Sequence, residues 1–275
     1  MFGNNSASIK KIGLLTGEGT LPVSFALRAK KRGVKVVAFA VRGHVSEKLE
    51  GVVEKLHLFG WNELSRLYAA IKKEKIRHAV LLGRIRKSYV FNNESVADKG
   101  TNKLFSYFRD KRDYALLKSI ARLLTATGIR LLNATTFFED SIPAKGTLTK
   151  RKPTARELKD ISFGRSVART LARFDIGQTV CVNDMVVLAM EGPEGTDGSI
   201  KRAGSLGRDG MVAVKMARPR QDMRLDVPLI GTETIQALIE SRAKVLAVEA
   251  GKTMFLEKEK VIDLANRSDI TIIGV

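Results

Sequence analysis

The chain has little of several things on which function is commonly built. It has one cysteine, Cys181, in 275 residues. That excludes an intrachain disulfide and a cysteine cluster for a metal. Its three histidines, His44, His57 and His78, form no His-x-x-x-His pair, which disfavours zinc and a histidine-centred catalyst. His57 and His78 sit in apolar, strand-like surroundings and read as core residues. Aromatic residues make up only 6% of the chain, few for a surface that stacks on unpaired bases. No recognised nucleic-acid-binding motif is present, so no nucleic-acid partner is expected. No apolar run reaches the roughly eighteen residues of a membrane span. The opening residues lack the basic-then-apolar order of a secretory signal, and with the lone cysteine this predicts a cytoplasmic protein. Acid is also scarce, at 29 Asp and Glu against 48 Lys and Arg, for a net charge of +19. Such a surplus suits nucleic acid, an anionic membrane surface or a phosphorylated substrate, and equally a solvated basic surface with no ligand at all.

What is present reads as two halves. Ile9–Leu15, Val34–Val41 and His78–Leu82 are short apolar runs, the mark of strands buried on both faces. Between and after them, Leu21–Arg32, Asn62–Lys73 and Tyr114–Thr125 carry apolar residues at helical spacing, and Arg130–Leu132 is a further short strand. Strands alternating with helices predict an α/β, Rossmann-like parallel-sheet domain over residues 1–145. Residues 146–153, with the basic run Lys150-Arg151-Lys152, read as a linker. Residues 154–275 change rhythm: a helix over 155–174, a hairpin over 179–190 turning at Asn183-Asp184, then alternating strands and helices to the end. This predicts a C-terminal α+β domain.

Four polar segments stand out. Gly17-Glu18-Gly19-Thr20-Leu21-Pro22 lies between a strand and a helix, where backbone N–H groups can face a phosphate. It is not the dinucleotide fingerprint: Pro22 occupies the third glycine position, and the next strand ends in Val41-Arg42 with no ribose-binding acid. Gly83-Arg84 closes a later strand of the same sheet, at the strand end where such folds bind ligands. In the second half, Glu191-Gly-Pro-Glu194-Gly195-Thr196-Asp197 concentrates acids beside flexible glycines, and cations and acids alternate from Lys215 to Pro228. Glu191, Glu194, Asp197, Asp222, Asp226 and Glu249 are the candidate bases or metal ligands, although each taken singly also reads as a surface acid. An all-carboxylate site suits a hard cation such as Mg²⁺, which also suits phosphoryl chemistry. Asp226 beside Arg224 would stay ionised; the plainer reading is an ion pair on one face of a strand.

Together these segments resemble a known family. The glycine loop, Lys111-Arg-Asp113-Tyr-Ala-Leu-Leu117, Asp175-Ile-Gly177-Gln178, the Glu191–Asp197 segment, Lys215 through Gly231, and Val248-Glu249-Ala-Gly251 follow the order of its signatures. The family is the UDP-2,3-diacylglucosamine pyrophosphatase of lipid A biosynthesis, of the type unrelated to calcineurin-like phosphoesterases. The resemblance implies Mg²⁺-dependent hydrolysis to UMP and 2,3-diacylglucosamine 1-phosphate (lipid X), with water attacking the phosphorus nearer the sugar. It implies a nucleotide-sugar-binding N-terminal domain, a catalytic C-terminal domain and a lipid-linked UDP-sugar held between them. It implies a peripheral position on the anionic inner face of a Gram-negative inner membrane, and leaves a homodimer open. Asp226 matches the family's essential aspartate. On that basis Asp226, Glu194, Asp197, Lys215 and Arg224 are the expected catalytic residues. Gly17, Gly19, Thr20, Leu21, Gly83, Asp113, Gln178, Thr196 and Gln221 are the expected substrate contacts, and Asp226, Asp222, Asp197 and Glu249 the expected metal ligands. Arg112, Tyr114 and Arg84 depart from the pattern, where the family carries Gly, Asp and Asn. A nucleotide or nucleotide-sugar hydrolase with a non-lipid substrate is the alternative within the same chemistry, and a basic nucleic-acid-binding protein, suggested by the +19 charge, is the alternative outside it.

Overall fold

Continuous apolar runs place the strands of the first half. Lys11–Thr16 (β1), Lys35–Val41 (β2), Lys55–Phe59 (β3), His78–Leu82 (β4) and Arg130–Leu131 (β5) form one sheet in the order β3-β2-β1-β4-β5. Every pairing in it is parallel. Helices Leu21–Lys31 (α1), Leu64–Lys73 (α2) and Asp113–Ala126 (α3) fall between strands. The computed structural model describes residues 9–60, 63–83, 113–174, 176–206, 209–219 and 221–275. The chain steps outward from β1 to β3, then crosses back to β4 on the other side of β1. That reversal makes the carboxyl ends of β1 and β4 a topological switch point, the ligand position of doubly wound sheets. The Rossmann-like expectation for this half holds.

The chain divides into two compact units. One holds the chain up to Phe137 together with Met223–Asp226; the other holds Phe138–Asp222 and Val227–Val275. The first has a core built from Leu15, Val37, Phe39, Phe59, Ile71, Ile76 and Leu131, and Leu225 packs into the same core. The main-chain N–H of Ala134 also donates to the carbonyl of Met223 at 2.7 Å. Met223–Leu225 is a turn, so Arg224 and Asp226 are not strand neighbours sharing a face.

At the end of α2 the same unit carries a charged knot. Glu74, 8% exposed, accepts from Lys11 at 3.0 Å and Lys55 at 3.1 Å, and meets the His57 ring at 3.2 Å. The hydrogen bond from Lys11, followed by that from Lys55, holds the Glu74 carboxyl at about 2, well below its ordinary value of 4.5. A depressed folded-state value means this stabilisation is complete above the unfolded value and is lost as pH falls from about 4.5 towards 2. Glu74→Gln should therefore lower the Tm at neutral pH and flatten its decline over that acid window. Superimposable Tm–pH curves for the two proteins would refute this.

The second unit is built on a six-stranded sheet whose strands run in the order Gly146–Thr147 (β6), Thr271–Gly274 (β13), Val245–Val248 (β11), Val212–Lys215 (β9), Thr179–Asn183 (β7) and Val186–Met190 (β8). Its other elements are Ala155–Arg173 (α4), Gly195–Gly204 (α5), Leu229–Ile230 (β10), Thr232–Glu240 (α6), Met254–Phe255 (β12) and Lys258–Arg267 (α7). Pairings β9–β11–β13 are parallel, β6 and the β7–β8 hairpin are antiparallel, and β10 pairs with β12 apart from the main sheet. Helix α4 packs its apolar stripe, Ile161 and Ala168, on one face of the sheet with Val180, Val214 and Val245. The opposite face buries Ile200, Ile235, Leu238 and Val261 from α5, α6 and α7. Residues 146–153, expected as a linker, supply edge strand β6. Their basic run is in part structural: Arg151 pairs with Glu157 at 2.7 Å, and Glu157 closes a capping box on Thr154 at the start of α4.

The β7–β8 turn is centred on Asp184 and Met185, both at positive φ, one residue beyond the expected Asn183-Asp184. Glycine is favoured at such positions. Here Asp160 of α4, 2% exposed, accepts from the N–H groups of Asp184 at 3.0 Å and Met185 at 2.7 Å, which holds the turn without glycine. Among the described residues no helix is long and apolar enough to cross a membrane.

Candidate functional site

In the first unit the Gly17–Pro22 loop lies at the switch point, between β1 and α1. Gly17 is buried where β1 ends, and its N–H donates to the carbonyl of Leu82 on β4 at 3.2 Å. Gly19 at φ +115° turns the chain out to Thr20, and both are exposed. Leu21 and Pro22 then open α1, whose first turn carries no acid. Backbone N–H groups at that helix start, with the helix dipole behind them, favour an anion. Gly83, at φ +93°, lies against the loop: a Cβ there would come within 2.9 Å of the Gly17 backbone and the Glu18 carbonyl. Gly83→Ala should thus displace the loop, costing about 1–3 kcal/mol of stability and weakening nucleotide binding. Unchanged melting and unchanged UMP affinity in this variant would count against the loop's role.

Glu18 extends from the loop to His44, which follows β2. His44 Nδ1 lies 2.8 Å from Glu18 Oε1, and His44 is 7% exposed. The sequence reading assigned neither residue a role. Asp113 begins α3, but its side chain, like Lys111, Arg112 and Arg84, lies outside the described residues.

In the second unit a polar cluster gathers at the carboxyl ends of β9 and β11. Lys215 is the last residue of β9, paired with Thr179 on one side and Val248 on the other. It is 7% exposed, and its ammonium donates to the Thr196 hydroxyl in the first turn of α5. Thr196 in turn donates to Glu191 Oε1 at 3.3 Å, while the N–H of Gln178 donates to Glu191 Oε2 at 3.1 Å. Gly177 permits this approach, since a Cβ there would lie 2.2 Å from the Glu191 carbonyl. With its amide oriented to satisfy both ends, Gln178 donates to the Met216 carbonyl at 3.2 Å and accepts from Arg218 at 3.1 Å. Gln221 accepts from the Arg218 N–H at 3.0 Å. Asp197 accepts from Thr234 of α6 at 2.8 Å. Glu249, just past β11, accepts from the Ala217 N–H and pairs with Lys252, both at 2.9 Å.

Gln178, Thr196, Asp197, Lys215, Gln221 and Glu249 stand on neighbouring elements of one sheet end. Glu191, weighed as an acid but not placed in the site, is tied directly into it. Glu194 is exposed and turned to Arg202 at 2.6 Å, and that hydrogen bond lowers its carboxyl below the ordinary range. Asp222 is half-buried and belongs to the second unit, whereas Arg224, exposed, and Asp226, half-buried, belong to the first. Among the described residues no three acids or histidines gather closely enough to hold a metal ion. Cys181 is fully buried in β7, which pushes its thiol up to about 12 and removes it as a nucleophile.

These features define a two-domain α/β protein: a Rossmann-like unit with a glycine loop at its switch point, and a mixed-sheet unit with a lysine-centred polar cluster. Residues 11–141 match the LpxI N-terminal domain and residues 144–273 the LpxI C-terminal domain, in that order. The chain belongs to the LpxI family. It is 27% identical over 278 residues to the UDP-2,3-diacylglucosamine pyrophosphatase LpxI of Caulobacter vibrioides, covering 97% of this chain and 98% of that protein. Two solved structures show weak likeness. The biotin carboxylase domain of Hydrogenobacter thermophilus 2-oxoglutarate carboxylase matches at a TM-score of 0.26 and 11% identity, over 64% of this chain and 35% of that one. N5-carboxyaminoimidazole ribonucleotide synthetase from Thermotoga maritima matches at 0.23 and 16%, over 68% and 42%. Neither likeness is high enough to bear on fold or function.

Proposed function

We propose that this chain hydrolyses the pyrophosphate of UDP-2,3-diacylglucosamine, giving UMP and 2,3-diacylglucosamine 1-phosphate for lipid A synthesis. The observation that carries the reading is the pair of LpxI domains, matched in order over nearly the whole chain, together with a relative of that named activity. Each unit by itself offers groups that suit such a substrate. The glycine loop and α1 offer N–H donors for a nucleotide phosphate. Lys215 and the first turn of α5 offer a cation and further N–H donors for the charge that grows on a transferred phosphoryl group.

In this reading Asp226 takes a proton from water as the water oxygen bonds to the phosphorus nearer the sugar. The bond from that phosphorus to the bridging oxygen breaks, and the bridging oxygen leaves with UMP. Lys215 and Arg224 neutralise pyrophosphate oxygens. One or two of Asp197, Asp222, Asp226 and Glu249 would hold Mg²⁺, a hard cation that takes carboxylate oxygens. When bound it would offset the pyrophosphate charge. The diacylated sugar sets the reaction at a membrane surface, and a net charge of +19 supports peripheral attachment to anionic lipid on the cytoplasmic side.

Incubation with UDP-2,3-diacylglucosamine in H₂¹⁸O, with and without Mg²⁺, tests each part by mass spectrometry. UMP release with the label in the sugar phosphate supports the reading, and label in UMP moves the attack to the other phosphorus. Equal turnover of plain UDP-N-acetylglucosamine favours the non-lipid alternative, and absence of UMP refutes pyrophosphate hydrolysis.

A further inference from the structure

Doubly wound sheets that bind nucleotides commonly read the ribose with an acid at the carboxyl end of the second strand. This chain has none there: β2 ends in Val41, and Arg42, Gly43 and His44 follow. His44 folds back through a hydrogen bond from its N–H to the Val41 carbonyl at 2.9 Å. Its ring, almost wholly buried, meets the carboxylate of Glu18 at 2.8 Å. Glu18 itself sits in the glycine loop after β1, with its side chain 30% exposed. The loop that bears it is pinned on its other flank, where Gly17 bonds to Leu82 and Gly83 lies against its backbone.

We infer that Glu18 is the ribose-reading acid of this unit, supplied from the loop after β1 and held over the end of β2 by His44. The inference rests on the reading that the unit takes the uridine nucleotide. A carboxylate has two oxygens with about four acceptor sites, so one oxygen can take the His44 N–H while the group accepts from a ribose hydroxyl. His44 is then a positioning residue, and Glu18 determines specificity. An exposed glutamate on a glycine loop would ordinarily sample several rotamers. A buried imidazole bonded to one oxygen selects a single one, so less order is lost when the ribose binds.

Calorimetric titration of the full chain with UMP, 2′-deoxy-UMP and 3′-deoxy-UMP tests the assignment. A hydrogen bond to a charged acceptor corresponds to roughly tenfold or more in affinity. The wild type should therefore prefer UMP over at least one deoxy analogue by about that factor. Glu18→Ala should remove the preference, with affinity for that analogue nearly unchanged. Glu18→Gln, which keeps the shape and loses the charge, should reduce it. His44→Ala should weaken it and His44→Asn, which places an amide N–H near the position of Nδ1, should restore it; a merely structural role for His44 would alter Tm without moving the ratio. If UMP binds and the wild type does not discriminate, or the ratio survives in folded Glu18→Ala and Glu18→Gln, the inference is overturned. If UMP does not bind the wild type at all, the nucleotide reading of this unit falls, and the inference with it.

Discussion

Asp226→Asn should lose UMP release from UDP-2,3-diacylglucosamine by about 10³-fold while keeping its Tm within a few degrees of wild type. Leu225 is 6% exposed in the core of the first unit, and Pro228, which fixes its own φ, follows three residues later. Asp226 is half-buried between them, so its backbone is set by packing on one side and ring geometry on the other. Removing the charge from such a position leaves the anchor intact. Loss of a proton-accepting group typically costs 10²–10⁴ in rate, whereas an exposed ion pair contributes at most about 1 kcal/mol to stability. A base role therefore predicts a collapse in kcat with KM and fold nearly unchanged. Steady-state kinetics paired with thermal melting separates the two. A folded Asp226→Asn protein with more than about a tenth of wild-type kcat would remove Asp226 from the chemistry.

How much of this was legible beforehand depended on whether the signal was local. Strands β1, β2, β4, β11 and β13 are apolar runs, and their burial follows from composition alone. Strand β3 is half-exposed, so although His57 lies in strand-like surroundings, no continuous buried run fixed the strand's bounds. Helix α5 was hidden inside the acidic segment because Gly195, Gly198 and Gly204 dilute its periodicity and lower its propensity. The last of these glycines also lets the helix pack: a Cβ on Gly204 would come within 2.6 Å of Ser241 at the end of α6. The membership of Met223–Asp226 in the first unit had no local cue, since it rests on a long-range contact through Leu225. Of the candidate site, the glycine loop and the acid-rich segment announced themselves by residue type. The Glu18–His44 pair joins two loops 26 residues apart, and nothing in either loop alone points to the other.

Lys215→Met should lower kcat by about 10²–10³, the usual cost of removing one preorganised donor from a developing charge. Lys215 ends a strand that is fully buried on either side of it in the sheet: Val248 of β11 is 0% exposed, as is Thr179 of β7. A lysine is rarely kept so enclosed unless its charge is needed, because desolvating an ammonium is costly. Its contact with Thr196 aims the charge at the first turn of α5, and Glu191 holds Thr196 from the other side. Methionine fills the volume of the aliphatic stem but carries no charge, so the packing cost should be under about 1.5 kcal/mol and the Tm should hold or rise slightly. Lys215→Arg should fail to restore the rate, since a planar guanidinium is larger and offers its donors in a fixed fork. Thr196→Val should show a smaller loss of the same kind, by freeing the ammonium from its rest position. The decisive comparison is kcat against Tm across the three variants. A Lys215→Met protein that unfolds more easily yet turns over at the wild-type rate would make this lysine a structural counter-charge to Glu191 and nothing more.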